Sequence, residues 1–204
     1  MTHEQGDPQV QRTCKLIQEA LIELTAECGF DAVTVGEIAQ RATVNRATFY
    51  RHYRDKYDLV EQMFQEVIRG LASSLGPPRD ILSETDLQHP PERWVKFFEH
   101  FAAHERLYGT LLGRNGSNWF VNRLRDHIVN LIEEREMLRD RLPALRRTPP
   151  RTRIPRQVAI TFAANLLIST IAWWLEGGRQ YSPQQVAVWF LEVTIGGYVS
   201  ALGL

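Results

Sequence analysis

The chain has 204 residues, which suffices for one large domain or two small ones with a sizeable buried core. Apolar residues make up 44% of it and charged residues 24%, as in ordinary soluble globular proteins. The formal net charge is zero, so the composition as a whole carries no signal for a nucleic-acid partner, and any such signal must be local.

Two cysteines, Cys14 and Cys28, lie on the first predicted helix, about 21 Å apart along its axis. This separation excludes a disulfide between them within the helix, and free thiols are typical of a reducing cytosol. The N-terminus is polar as far as Gln11 and does not resemble a signal peptide. We therefore expect a cytoplasmic protein.

Apolar residues recur at spacings of three and four, without alternation of period two, so we predict an all-α fold. The first helix has one apolar stripe, formed by Cys14, Ile17, Leu21, Leu24 and Cys28. Gly29 is predicted to end this helix. The stripe predicts that both cysteines are core residues.

Two short helices are predicted next. Thr34 and Glu37 have the spacing of a capping box, which predicts a helix over 35–42. Asn45 can cap a second short helix, and a longer helix is predicted to follow it. Two short helices joined by three residues, behind a longer first helix, indicate a helix-turn-helix at about 34–53.

Positive charge is concentrated in and just after this predicted helix-turn-helix. From Arg41 to Lys56 there are five Lys or Arg residues against one acid, Asp55. The rest of the N-terminal region is acidic on balance, so the positive charge lies where a duplex would bind. This favours a DNA-binding surface over a merely solvated basic face of a helical bundle.

The residue types fit base and phosphate recognition. Five residues are predicted to face inward: Ile38, Ala39, Ala42, Val44 and Phe49. Six are left for the outward face: Arg46, Ala47, Thr48, Tyr50, Arg51 and His52. Because arginine suits guanine, and threonine and alanine suit the thymine methyl group, the start of the second short helix is predicted to reach base edges. The remaining predicted contacts are to phosphates, from Tyr50, His52, Lys56, Thr34 and the backbone amides at the helix start beside Val35.

Three runs of residues carry a family resemblance: Gly29-Phe30-Asp31-Ala32-Val33-Thr34-Val35, Ile38-Ala39, and Val44-Asn45-Arg46-Ala47-Thr48-Phe49-Tyr50-Arg51-His52-Tyr53. With Lys56 and Leu59 they make this region similar to the TetR family of bacterial repressors. The resemblance implies a three-helix DNA-binding domain over 10–70, and a helical effector-binding and dimerisation domain over 71–204. It also implies DNA contacts by nine side chains: Thr34, Asn45, Arg46, Ala47, Thr48, Tyr50, Arg51, His52 and Lys56.

One position departs from the family pattern. The family usually has glycine in the turn, where this chain has Thr43. A β-branched residue in the left-handed conformation costs about 1–2 kcal/mol. The turn is therefore predicted either to differ slightly from that of the family or to carry strain.

The second half follows a predicted boundary that ends near Pro91. Helices are predicted near 91–105, 105–113, 117–142, 155–176 and 183–202. A loop over 143–156 holds four prolines, five arginines and no acid. It is either a solvated connector or an auxiliary contact to DNA or another anion.

The stretch 158–175 has eighteen residues without a charge, which is near the lower limit for a membrane-spanning helix. Thr161, Asn165 and Ser169 form a polar stripe on it, which a protein bundle tolerates and lipid does not, so we expect no membrane insertion. The surplus of apolar surface predicts a homodimer through the helices at about 155–176 and 183–202.

Aromatic residues are dense between residues 94 and 120 and either form plain core or line an effector pocket. The predicted pocket residues are Phe97, Phe101, Tyr108, Trp119 and Phe120. The runs Leu111–Phe120, Trp173–Gly178 and Tyr181–Pro183 are also similar to a TetR subgroup related to dihydroxyacetone kinase regulators. Some members of that subgroup are co-activators that respond to a protein partner.

We therefore expect a homodimeric repressor that a small-molecule effector releases from a palindromic DNA operator. The alternative is a TetR-like co-activator regulated by a protein partner. An enzyme is not expected, because no metal signature, phosphate-binding glycine loop or nucleophile elbow occurs. His100 and His104 have the spacing of a metal-binding pair, but without an evident third ligand an ordinary exposed face is favoured, and no cofactor is expected.

Overall fold

The computed structural model describes residues 7–74, 92–141 and 155–196, and within these ranges the regular secondary structure is helical, as predicted. The α-helices are α1 (Pro8–Cys28), α2 (Val35–Arg41), α3 (Arg46–His52), α4 (Lys56–Ser74), α5 (Glu92–Ala103), α6 (Glu105–Leu112), α7 (Asn118–Arg141), α8 (Arg156–Glu176) and α9 (Pro183–Leu191). A π-helical turn, Glu192–Gly196, follows α9. The predicted boundary over 76–91, most of the 143–156 loop and the end of the last predicted helix lie outside the described residues.

Helix α1 ends where predicted, but its two cysteines are not buried as predicted. The Asp7 carboxylate accepts from the N–H of Gln9 at its start, and Gly29, at φ 85°, ends it. The middle of the apolar stripe is buried. Cys14 is only half-buried and Cys28 is exposed, so the prediction that both are core residues is wrong.

The chain forms two compact units, an N-terminal unit of Met1–Gly70 with Arg106–Phe120 and a C-terminal unit of Leu71–Glu105 with Val121–Leu204. This division differs from the predicted bounds of 10–70 and 71–204, because residues 106–120 pack with the N-terminal helices. The rings of Phe64 and Phe120 are 5.6 Å apart. The rings of Tyr57 and Trp119 are 5.3 Å apart.

The N-terminal unit has a core built from all of its helices. Its fully buried side chains include Ile17, Leu21, Phe30, Ile38, Phe49, Leu59, Phe64, Tyr108 and Phe120. Burial of such side chains contributes roughly 1.5–3 kcal/mol each relative to exposure. This core holds α2 and α3 against α1 and α4, which leaves the opposite side of the two short helices exposed.

The C-terminal unit has an aromatic core where α5 packs on α8 and α9. Phe98 lies 5.9 Å from Trp174 and 6.0 Å from Phe190, measured between ring centroids. The indole N–H of Trp174 donates to the Tyr181 carbonyl at 2.9 Å, which satisfies a buried donor. Ser182 begins α9 with a capping box.

Helix α8 is, over Gln157–Glu176, long and apolar enough to cross a membrane by length and composition, with a mean hydropathy of 1.8. Its polar stripe contacts protein at Asn165, whose carboxamide oxygen accepts from Nε of Arg125 on α7 at 2.8 Å. Only 39% of this apolar stretch is buried within the chain. An apolar face of α8 is therefore left exposed.

Candidate nucleic-acid interface

Helix α2 begins with the predicted capping box. The N–H of Glu37 donates to the Thr34 hydroxyl oxygen at 3.3 Å, while a Glu37 carboxylate oxygen accepts from the Thr34 N–H at 2.9 Å and from its hydroxyl at 2.7 Å. The hydrogen bonds from Thr34 lower the pKa of Glu37. Both donors of Thr34 are thus occupied. The N–H groups of Val35 and Gly36 are left as the unpaired donors of the first turn.

The turn after α2 shows which of the two alternatives for Thr43 holds. Thr43 adopts the left-handed conformation, with φ 56°. Its N–H donates to the Gln40 carbonyl, and the next N–H, that of Val44, donates to the Ala39 carbonyl at 2.9 Å. The chain therefore makes a tight turn with a β-branched residue in the left-handed conformation and carries the strain.

Helix α3 has the predicted inner and outer faces. The Asn45 side chain accepts from the Ala47 N–H at 2.8 Å and caps the helix. On the inner side Phe49 is fully buried. The outer side exposes four residues, Arg46, Ala47, Tyr50 and Arg51. The predicted inward residues Ile38, Ala39, Ala42 and Phe49 are buried, and Val44 is half-buried.

Hydrogen bonds from neighbouring side chains hold the end of α3 in place. Arg51 donates from Nη2 to the Thr48 hydroxyl oxygen at 3.0 Å, so the two side chains form one polar pair on the outer face. The backbone carbonyl of His52, itself half-buried, accepts from Gln62 of α4 at 3.3 Å. Tyr53 is buried, and burial raises the pKa of its phenol.

The local positive charge is smaller than the sequence indicates. Arg41 makes a two-pronged ion pair with Glu27 of α1, at 2.8 and 2.7 Å, which lowers the pKa of Glu27. Arg54 pairs with Asp58 at 3.0 Å. Among the described residues, Arg46 and Arg51 form no ion pair. Two guanidinium groups on α3 therefore provide the available charge.

The ammonium group of Lys56 contacts backbone carbonyl groups of the protein. Its ammonium nitrogen is 2.8 Å from the Phe30 carbonyl oxygen, 3.0 Å from that of Asp31 and 2.9 Å from that of Val33. An ammonium group has three N–H donors, so these three acceptors occupy all of them. A phosphate could bind Lys56 only by displacing a backbone carbonyl, and the phosphate contact of Lys56 stays a prediction.

The loop between α6 and α7 contacts the N-terminal helices, which the sequence does not indicate. After α6, the Asn115 carbonyl accepts from the Phe30 N–H at 3.0 Å, and the Asn115 side chain donates to the Ala26 carbonyl at 3.4 Å. Gly116 makes the loop tight, because a Cβ there would lie 2.2 Å from the Leu111 carbonyl oxygen. This loop lies between the helices predicted near 105–113 and 117–142, but no local pattern identifies its partners.

The predicted pocket residues fall into both units. Phe97 and Phe101 belong to the C-terminal unit, where their rings are 5.0 Å apart. Tyr108, Trp119 and Phe120 belong to the N-terminal unit. Tyr108 and Phe120 are fully buried there and 6.2 Å apart, while Trp119 is 36% exposed. Their packing within each unit is that of core residues and one surface aromatic, and the pocket stays a prediction.

The His100 and His104 rings are close, with centroids 4.9 Å apart. Burial and the neighbouring His104 lower the pKa of His100 to about 4. Within the part of the chain that the structure describes, no group of three His, Cys, Asp or Glu residues could hold a metal ion. The pair therefore supplies two candidate ligands and no described third.

Two family descriptions match the chain. Residues 17–63 match "Bacterial regulatory proteins, tetR family". Residues 88–196 match "Transcriptional regulator C-terminal region". A curated relative, the uncharacterized HTH-type transcriptional regulator YdeS of Bacillus subtilis, is 41% identical over 64 residues, which are 31% of this chain and 32% of YdeS. The aligned part therefore spans about a third of that relative.

Solved structures share the fold. A TetR regulator from Streptococcus agalactiae superposes with a TM-score of 0.62 at 23% identity, covering 91% of this chain and 95% of its own. FadR from Bacillus subtilis, solved with stearoyl-CoA, gives 0.52 at 17% identity, covering 90% and 98%. The dihydroxyacetone kinase operon activator DhaS gives 0.53 at 14% identity, covering 91% and 95%, which shows a common fold and not the predicted subgroup. By its two matched family descriptions and its helix-turn-helix, the chain belongs to the TetR family of bacterial regulatory proteins and is a DNA-binding transcriptional regulator.

Proposed function

We propose that this protein is a cytoplasmic, homodimeric repressor that binds a near-palindromic operator and is released from it by a small-molecule effector. The observation that carries the proposal is the outer face of α3. It exposes Arg46 and Arg51, neither of which pairs with an acid in the described residues, on a helix held by Phe49 and capped by Asn45.

Arg46 is the side chain we propose for base reading. It is the first residue of α3 and is exposed, and the first residues of a recognition helix lie closest to base edges in the major groove. Arg51 and Thr48, joined by their hydrogen bond, present a guanidinium and a methyl group one turn later. Tyr50 and His52 stay proposed phosphate contacts, together with the amides at the start of α2.

The exposed apolar face of the C-terminal unit supports a homodimer. On α8, Phe162 is 58% exposed and Trp173 53% exposed, and Val193 after α9 is 57% exposed. Large apolar residues exposed together on two neighbouring helices are typical of an interaction surface. Pairing α8 and α9 with the same helices of a second copy would bury this face in a four-helix interface and place two α3 helices symmetrically.

Effector release needs a route to the reading helix. The α5–α6 junction connects the C-terminal unit to residues 106–120, which contact α1 and α4 inside the N-terminal unit through Asn115, Trp119 and Phe120. A ligand that displaces α5 would pull on these contacts. Because half-sites repeat about every 34 Å, a displacement of a few ångströms misaligns the two α3 helices of a dimer with their half-sites.

The proposal is tested first on DNA. Genomic fragments retained by the purified protein supply the operator, and affinity is measured by fluorescence anisotropy over a range of salt concentrations. Arg46→Ala should cost on the order of 1–3 kcal/mol per half-site and relax the base preference. Lys15→Ala, an exposed cation on α1, is the matched control and should leave the base preference intact. Unchanged specificity in Arg46→Ala would refute the assigned reading face.

The effector is tested by titrating candidate metabolites, acyl-CoA thioesters among them, into the protein–operator complex while following tryptophan fluorescence and anisotropy. FadR from Bacillus subtilis, which shares this fold, was solved with stearoyl-CoA, so this class is a reasonable first set. Release by a small molecule supports the proposal. If only a protein partner changes operator affinity, the alternative holds and the chain is a co-activator regulated by that partner.

A further inference from the structure

The ammonium group of Lys56 has three hydrogen-bond acceptors within the N-terminal unit. Its three acceptors are consecutive or nearly consecutive carbonyls of the loop over 29–34, which connects α1 to α2. The ammonium also lies 4.7 Å from the centroid of the Phe30 ring and 5.6 Å from that of Tyr57. Cation–π contacts of this kind add attraction to the same position.

Helix electrostatics do not explain this placement. Lys56 is the first residue of α4, where the helix dipole is positive, and its acceptors belong to the loop that connects α1 to α2. The start of its own helix is unfavourable for a cation by itself. The converging carbonyls offset this cost.

We propose that Lys56 is a positioning residue for DNA reading: it ties the start of α4 to the 29–34 loop and thereby fixes Thr34, the N-cap of α2, relative to α3. This rests on the proposed function of the α3 face. Without the ammonium, the Asp31 and Val33 carbonyls lose the protein donors that the described hydrogen bonds give them. The loop is then held chiefly by the Phe30 bond to Asn115 and by its own turn.

The test uses Lys56→Met, which keeps most of the stem and removes the charge, and Lys56→Arg, which keeps the charge but has a planar donor set that does not fit three converging carbonyls. Lys15→Met controls for the loss of one positive charge elsewhere on the same unit. Operator and unrelated duplexes are titrated across salt concentrations, and amide hydrogen exchange is followed over residues 30–37.

A positioning role predicts that Lys56→Met lowers operator affinity by about tenfold, lowers affinity for unrelated duplex much less, and leaves the salt slope unchanged. Exchange over 30–37 should accelerate, and Lys56→Arg should not restore affinity. The inference is overturned if Lys56→Arg binds like the unmodified protein and Lys56→Met reduces the salt slope by about one per subunit, as a lost phosphate contact would.

Unchanged affinity and unchanged exchange in Lys56→Met would overturn the inference as well. If Lys56→Met does not fold, Lys56→Gln, which retains an N–H donor group, and Lys56→Arg carry the same comparison. If the unmodified protein binds no duplex in a salt-dependent way, the proposed function fails. The exchange measurement then still decides whether Lys56 holds the loop.

Discussion

At the scale of single residues, the strain at Thr43 is the clearest departure of this protein from an ideal helix-turn-helix. Its φ of 56° places a β-branched side chain in the region that favours glycine. The strain persists because both short helices are anchored on either side, by Ile38 and Phe49, which are fully buried. The buried helices on either side therefore hold the turn in a conformation that threonine by itself does not favour.

Replacing this residue with glycine should relieve the strain. We expect Thr43→Gly to raise the free energy of unfolding by up to about 1 kcal/mol, since relief of the left-handed strain is partly offset by the greater entropy of glycine in the unfolded chain. Urea denaturation followed by circular dichroism measures the change. Thr13→Gly, within α1, is the control and should destabilise by about 0.5–1 kcal/mol. A loss of stability in Thr43→Gly would show that the threonine side chain contributes more than the strain costs.

His100 gives a residue-scale prediction about pH. Its pKa of about 4 in the folded protein lies below the ordinary 6.5, so the unfolded chain takes up this proton at higher pH than the folded chain does. The stability present above pH 6.5 is therefore lost progressively as the pH falls from about 6.5 to about 4. The cause is burial, reinforced by His104.

His100→Gln removes this titration. Because the imidazole is only partly buried, we expect the acid loss of stability between pH 7 and pH 4 to shrink by on the order of 1 kcal/mol. Urea midpoints at a series of pH values, with the unmodified protein in parallel, give the comparison. Two curves that stay parallel through this window would contradict the prediction.

At the scale of elements, the short loop between α6 and α7 is the part of residues 106–120 that hydrogen-bonds to the end of α1 and to Phe30. Its backbone is packed on itself, with the Ser117 N–H donating to the Leu111 carbonyl at 2.9 Å. The same loop presents the Asn115 carbonyl to Phe30. Any change in the shape of this loop therefore alters its hydrogen bonds to the end of α1 and to the 29–34 loop.

Two glycine substitutions test this element as a matched pair. Gly116→Ala would put a Cβ 2.2 Å from the Leu111 carbonyl oxygen, so backbone must move, and we expect a loss of roughly 2 kcal/mol in the free energy of unfolding. Gly70→Ala, on α4, meets nothing within 4 Å and should stabilise by about 0.5–1 kcal/mol. Thermal denaturation of both variants decides it. Equal stabilities would mean that the loop adjusts without cost.

Gly116→Ala has a second expected outcome, on DNA. If the loop couples effector binding to operator binding, Gly116→Ala should change the operator affinity, because Asn115 moves with the strained backbone. Gly70→Ala should leave the operator affinity unchanged. The prediction fails if a folded Gly116→Ala protein binds operator with the affinity of the unmodified protein.

At the scale of the whole molecule, we expect the exposed apolar face of α8 and α9 to decide the oligomeric state. Val193 is 57% exposed and lies one turn after Trp189, which is 39% exposed. Val193→Arg places a charge on this face, and we expect it to split the proposed homodimer, since burying an unpaired charge costs several kcal/mol. Sedimentation velocity at micromolar concentration measures the change.

Glu99→Arg, at an exposed position of α5, is the control and should leave the dimer intact. Val193→Arg should also weaken operator binding, since two linked reading heads bind far more tightly than one. A well-folded monomer in the unmodified protein would rule out the homodimer. Val199, another apolar residue of the predicted helix over 183–202, lies outside the described residues.

The sequence by itself determined the features that depend on near neighbours. Helix periods, the capping boxes at Thr34 and Ser182, the Asn45 cap and the end of α1 at Gly29 all involve partners within a few residues, so their spacing is sufficient to predict them. The inner and outer faces of α3 follow from the same helical period. The resemblance to the family added the function that this local geometry serves.

Only the tertiary structure decided the partners of charged and polar groups. Arg41 reaches Glu27 across 14 positions of the chain, Lys56 reaches Val33 across 23, and Asn115 reaches Ala26 across 89. A charge count cannot distinguish a cation that is free for phosphate from one that is already bound within the protein, because both contribute equally to the sequence total. The same reason explains why the sequence does not indicate the partners of residues 106–120: their apolar stripe indicates that they pack, and the fold alone determines that α1 and α4 are the surfaces they pack against.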